Sequence, residues 1–386
     1  MTENAFEQIQ NRLDNSGLSA ALDELVDQLR VENKYHDLFE ALKMQLRLRL
    51  GLPLRHRDDS EIENDAIQTQ LEEGLLAACR EVGTALMKLG QVRAGWTYLR
   101  PLANRSEVAN MLTELQVTDE NRDEIVELAL QEAIDPIRGY KLVLEHYGTC
   151  NAITTYQSLM YSEAAAQLPE LTGLLVDHVY NELTASIRSD IAARSESSKE
   201  ESDSEATLSD MINKHPWMTG NGFCHIDVSH LGSTVRFSQS LQNQLQIRKA
   251  VEMCEYGDRL DEKLKYPGDD PFTDLFASNR IYLRALIGEN IDEALDFFGK
   301  RAREVDAYHE GTAPIDVYVG LLERLGRHEE AIHVFLELNA DSGRTDIANR
   351  LFELCDRAGN YDRFADFCRQ REDLLGFATG LLLSHN

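Results

Sequence analysis

His225, Asp227 and His230 fall within six positions of one another in "FCHIDVSHLGSTVRFSQSL", residues 223 to 241 of this 386-residue chain. Neutral imidazole and carboxylate are ligands for zinc and iron, and two histidines with one carboxylate form the open-sided iron set. His225 and Asp227 alternate, so an extended backbone would present both on one face. The same residues support a second reading. Asp227 or Ser229 would cap a helix, continuous from 229 to 247, that carries Leu231, Val235, Leu241 and Leu245, and the histidines would flank that cap.

Two further groups invite the same chemistry. His178 and Glu182 in "LTGLLVDHVYNELTASI" stand four apart, on one helix face, where they either grip one ion or form an ordinary surface pair. "GYKLVLEHYGTCNAITTYQSL" sets Glu145 and His146 ahead of a glycine-bounded break in which Thr149, Asn151 and Thr154 either meet a ligand or cap consecutive helices. Taken together, His146, His178, Glu182, His225, Asp227 and His230 form a candidate zinc or iron site, with Glu145 available to fix an imidazole tautomer. Such a site requires the helix bearing His178 to lie against the start of the helix that follows Asp227. None of the motifs HExxH, GxSxG, P-loop or GxGxxG accompanies it. The six cysteines contain no CxxC pair, which fits reduced thiols better than a disulfide framework or a thiolate zinc site.

The elements that must position these residues read as helices. In "SAALDELVDQLRVENKYHDLFEALKMQLRLRLGLP", Leu22, Leu25, Val26 and Leu29 make one apolar stripe and Leu38, Phe39, Leu42 and Leu46 another, with Gly51 and Pro53 ending the second helix. "LLAACREVGTALMKLGQVRAGWTYLRPL" reads as a helix, a turn at Gly90 and a second helix whose Gly95 permits close approach. "VYVGLLERLGRHEEAIHVFLEL" repeats this build with Gly326, Ala331 and Phe335, and "LFELCDRAGNYDRFADFCRQR" places Gly359 33 residues after Gly326. "IYLRALIGENIDEALDFFGKRA" follows with Gly288, Ala294 and Phe298 if one residue is inserted. In Gly83, Gly90, Gly95 and Leu99, and again in the C-terminal third, the chain resembles the tetratricopeptide repeat, without the proline that usually closes that repeat. The resemblance covers about half the chain. It implies stacked helical hairpins and a concave surface for a protein or peptide partner.

The fold expected is therefore all-α: helical-hairpin repeats of α-solenoid type around a non-repeat helical centre. Residues 1–132 would form the N-terminal hairpins, 133–270 the centre and 271–386 the C-terminal repeats. The centre contains "DIAARSESSKEESDSEATLSD", an acidic stretch at 190–210 with almost no apolar anchor, expected to be a flexible loop that proteases cut. Any β structure is expected near residues 220 to 227. The chain carries 39 Lys and Arg against 67 Asp and Glu, a formal net charge of −28 that disfavours nucleic acid and anionic membranes as partners. With no long apolar run and no signal-like N-terminus, a cytoplasmic location is expected. Two functions compete: a repeat scaffold binding a protein or peptide, and a zinc- or iron-dependent enzyme using the central cluster. A purely structural subunit is a third reading, and the sequence leaves self-association open.

Overall fold

The computed structural model describes residues 4–55, 64–194, 206–219, 222–339 and 346–385. Among them are eighteen α-helices and no strand, with β pairing confined to one isolated bridge between Pro267 and Asp274. The β content expected near 220–227 is absent from the described part of that stretch, where the backbone bends into a helix cap instead. No described helix is long and apolar enough to cross a membrane. Contacts divide the chain into two compact units, Met1–Tyr147 with Ser158–Ala166, and Gly148–Gln157 with Gln167–Asn386. The division falls inside the 133–270 segment, and residues on both sides of 270 belong to the second unit.

The first unit holds α1 (Ala5–Val31), α2 (Tyr35–Arg49), α3 (Asp65–Lys88), α4 (Val92–Leu99), α5 (Arg105–Glu114), α6 (Arg122–Gln131) and the first half of α7 (Pro136–Leu159). The stripes read from sequence meet as expected: Val26 of α1, Leu38 and Leu42 of α2, and Val82 and Leu86 of α3 close one buried cluster. A second cluster joins Leu99, Leu112, Ile125 and Leu142 across α4 to α7. Between α3 and α4 the chain turns at Gly90, whose φ of 77° suits glycine. The two helices then touch through glycine. A Cβ on Gly95 would lie 2.6 Å from Met87 Cγ and 3.0 Å from the Gly83 carbonyl oxygen. α7 is two helical halves joined at Gly148, whose φ of 80° and ψ of 174° are not helical, in line with the helix end and restart read there from the sequence.

The second unit is organised by α8 (Leu168–Arg194), whose Leu171, Leu175, Val179, Leu183 and Ile187 are all fully buried. Their spacing of four residues makes one continuous apolar stripe. α10 (Val228–Phe237) and α11 (Gln244–Asp258) pack on it, and α9 (Leu208–Lys214) packs on α11. The single helix expected over 229–247 is in fact two. Ser238 Oγ donates to the Thr234 carbonyl at 2.7 Å as α10 closes into a 3-10 turn, and Asn243 caps α11 by accepting from the Leu245 and Gln246 amides. The acidic stretch is shorter than its composition suggests. Residues 190–194 finish α8, and Thr207 with Asp210 forms a capping box that starts α9, while residues 195–205 lie outside the described part.

From α12 onward each helix packs on the next in sequence: α12 (Leu275–Leu286), α13 (Ile291–Glu304), α14 (Ala313–Arg324), α15 (His328–Leu338), α16 (Ile347–Ala358), α17 (Asp362–Gln370) and α18 (Leu374–Leu383). The turn glycines read from the repeat pattern, Gly288, Gly326 and Gly359, all have positive φ, at 83°, 74° and 64°. Glu323 of α14, with its side chain 5% exposed, receives Arg357 Nη1 at 2.7 Å and a second guanidinium from Arg350, tying α14 to α16. The buried charge is thereby matched by two cations.

The contact between Gly83 and Gly95 leaves no space for a branched side chain. Gly95→Val is expected to lower unfolding stability by about 1–3 kcal/mol, the usual cost of overpacking. Urea denaturation with a shifted midpoint and unchanged slope checks this.

Candidate functional site

α8 aligns the polar residues of the centre along its flanks. His178 and Glu182 sit one turn apart, with His178 Nε2 3.4 Å from Glu182 Oε1. Both meet Thr149, just past the bend at Gly148. The Thr149 hydroxyl donates to Glu182 Oε2 at 3.0 Å and lies 3.1 Å from His178 Nε2. With its one proton on the carboxylate, the hydroxyl accepts from Nε2–H, which assigns that tautomer to His178. Thr149 is only 6% exposed, and its hydroxyl is already engaged by both side chains. The triad therefore clamps the start of the post-bend helix onto α8.

His225 belongs to a different group. Its side chain is 5% exposed, with Nε2 3.2 Å from Asp190 Oδ2 and Nδ1 3.2 Å from the Tyr256 hydroxyl, which also accepts the His225 amide at 2.9 Å. The proton pattern is closed when the Tyr256 O–H donates to Nδ1 and Nε2–H donates to Asp190. Asp190 also takes Arg194 Nε at 3.0 Å, and that guanidinium lies 4.0 Å from the Trp217 ring centre and 5.4 Å from that of Phe223. Bonds from Arg194 first, and then from His225, hold the Asp190 carboxyl below its ordinary range. Burial pushes the Tyr256 phenol up to about 12.

Asp227 is the N-cap of α10, as one of the two sequence readings has it. Its carboxylate accepts from the Ser229 hydroxyl at 2.6 Å and amide at 2.8 Å, bonds that lower its pKa. His230 occupies the first turn of the same helix, half-buried. His146 is exposed in the first unit, on the half of α7 before the bend, and Glu145 beside it is exposed as well. α8 does pack on α10, as a shared site would require. The ligand atoms nevertheless divide along α8. Glu182 and the Asp190 partner of His225 are eight residues apart, or about 12 Å of helix. Among the described residues no three His, Cys, Asp or Glu side chains are grouped to hold a metal ion.

Asp190 and Tyr256 escaped the sequence reading. Asp190 gave little signal: it follows His178 by twelve residues, about 120° further round the same helix, and the polar run after it disguised the end of α8. Tyr256 carried none, because it lies 31 residues from His225 and meets it only through packing.

The described surface also bears several clefts. In the first unit one of about 650 Å³ is lined by Lys88, Gln91, Gln116, Asn121 and Glu124, but Asn121 is occupied locally, bonded to the Gln116 carbonyl and the Thr118 amide. In the second unit α13, α14 and α15 enclose a cleft of about 630 Å³ lined by Asp296, Lys300, Arg303, Tyr318, Arg327 and Glu330. Arg303 reaches over Tyr318, 5.7 Å from its ring centre, and Arg327 Nε pairs with Glu330 at 2.9 Å. The i, i+4 rhythm of Asp292, Asp296 and Lys300 was visible in the sequence, though not the aromatic from the next helix that completes the cleft. Searches against protein-family models and curated proteins find no match to this chain.

The Tyr256 hydroxyl satisfies a buried amide and a buried imidazole together. Tyr256→Phe is expected to cost about 1–3 kcal/mol, the usual penalty for orphaned buried polar groups, and to speed amide exchange at His225. The raised phenol pKa also fixes a direction with pH. The unfolded chain ionises Tyr256 near its ordinary value of 10, whereas the folded chain resists until about 12. The contribution is thus fully present below pH 10 and lost as pH rises to about 12, and chemical denaturation across that window should show a smaller loss in Tyr256→Phe.

Proposed function

We propose that this chain is a helical-repeat scaffold whose C-terminal helices bind a protein or peptide partner. The observation that carries this reading is the cleft across α13, α14 and α15, in which α13 and the start of α15 contribute cations and carboxylates above the buried Tyr318 of α14. Peptide grooves of this type work by shape and a few charged clamps, and the side chains here supply both signs of charge. The tetratricopeptide-like spacing supports the reading independently. In that family the turn glycines and small residues let hairpins stack, and the same types occupy Gly288, Ala294, Gly326, Ala331 and Gly359. An α-solenoid arrangement of α12 to α18 accounts for the way each helix packs on its sequence neighbour. The central polar groups then have structural work, holding α8 to the segments around it. The net charge of −28 favours a partner that is not itself strongly acidic.

A photo-crosslinking amino acid at Lys300 should capture one defined polypeptide, identified by mass spectrometry. Arg303→Glu, by reversing the charge beside Tyr318, should weaken that partner's binding roughly tenfold, about 1.4 kcal/mol. Absence of a defined crosslink, or binding unchanged in a folded Arg303→Glu variant, would refute the assignment.

A further inference from the structure

α18 packs against α17 through its glycines. A Cβ on Gly380 would meet Ala365 N at 3.1 Å, and one on Gly376 would meet Cys368 Sγ at 2.6 Å. The other side of the helix is bare. Leu374, Leu375, Leu381 and Leu382 are 79%, 79%, 44% and 70% exposed, and the helix "LLGFATGLLL" contains no charged residue. Positions 374, 378, 381 and 382 have the i, i+4, i+7, i+8 spacing of a stripe that faces a core, yet here the stripe faces water. The contiguous apolar surface is on the order of 500 Å², the upper range that monomers leave exposed.

The order of residues in this stripe says what fits it. Leu374 and Leu382 are equidistant from Ala378, and so are Leu375 and Leu381. A two-fold axis through an antiparallel helix pair sets residue i against j and j against i. Centred on Ala378, that axis places Leu374 on Leu382 of the second copy and Leu375 on its Leu381. The small Ala378 meets its own counterpart where the helices cross. α18 itself carries no carboxylate, so none opposes another within the pair; Asp373 is its N-cap and Glu372, with φ 59°, lies in the turn before it.

We propose that the exposed leucine face of α18 is a self-association surface, occupied by the α18 of a second copy in an antiparallel, two-fold pair. The two faces together bury about 1,000 Å², at the low end for specific interfaces, so the dimer is reversible, in the micromolar range. Each copy carries a net charge of −28, and added salt, by screening that repulsion, strengthens the pair.

Sedimentation velocity of the full chain tests this. The expected result is a shift from one-chain to two-chain mass across the micromolar range, at lower concentration in higher salt. Leu375→Glu and Leu382→Glu, both at exposed positions, should abolish the shift while circular dichroism stays helical. Ala378→Cys should form a disulfide-linked dimer under mild oxidation that the unmodified chain, with its own cysteines, does not form. One-chain mass throughout, association indifferent to both glutamate variants, or no Ala378→Cys crosslink in an associating sample would each overturn the proposal. A leucine face covered by a different protein would appear as the first of these.

Discussion

Burial of the apolar stripe on α8 is the constraint on which the second unit depends. Leu171, Leu175, Val179, Leu183 and Ile187 leave water together, and at about 1.5–3 kcal/mol for each fully buried side chain they outweigh any polar contact nearby. Once that stripe is fixed, the flanks of the helix have no rotational freedom. His178 and Glu182 must meet Thr149, Asp177 must meet Lys249 and Gln246, Tyr180 must meet Glu252, and Asp190 must meet His225. These polar pairs stitch three segments to α8: the part of α7 after Gly148, α11, and the stretch just before α10. Glu252 illustrates how several requirements are met by one group: it accepts from the Tyr180 hydroxyl and from the Leu208 amide at the first turn of α9. Burial, followed by that bonding, drives the Tyr180 phenol well above its ordinary pKa.

The same logic separates a clustered composition from a convergent site. The histidines and acids of the centre are concentrated because α8 gathers polar partners along its whole length, at 1.5 Å per residue. Groups at Glu182 and Asp190 bind different segments for that reason alone. Thr149 partners His178 Nε2, while Tyr256 and Asp190 partner both ring nitrogens of His225, which has none left for an external ligand. The buried thiols are equally quiet. Burial raises the pKa of Cys254 well above its ordinary value and that of Cys355 to about 11, so both are protonated and unreactive at neutral pH.

What was legible in the sequence was periodic. The stripes of α1 and α2, the close approach at Gly95, the turns at Gly90, Gly288, Gly326 and Gly359, and the Asp227 cap all follow from local rules, because a 3.6-residue period and a positive φ leave their mark on neighbouring positions. Two of the local readings that failed did so for local reasons. The helix expected over 229–247 was split because Ser238 and Asn243 compete for backbone groups that the apolar pattern alone had assigned to one helix. The end of α8 was masked because Asp190 and Arg194 look like part of the polar run, although they pair with each other as an i, i+4 helix turn.

The sequence by itself determined the all-α class, the hairpins and the acidic character of this protein, since these depend on residue type and on spacing within one or two turns. Tertiary structure alone decided that His225 belongs with Asp190 and Tyr256 while His178 belongs with Thr149, and that Tyr318 shares a cleft with Lys300 and Arg303. It also decided which leucines stay wet. "LLGFATGLLL" reads as an ordinary buried helix, and only the packing of its glycine side on α17 shows that Leu374, Leu375 and Leu382 were left outside. The physical reason is common to all of these cases: contacts between segments far apart in sequence are set by how apolar surfaces fit in three dimensions, and a local pattern carries no record of which surface its own will meet.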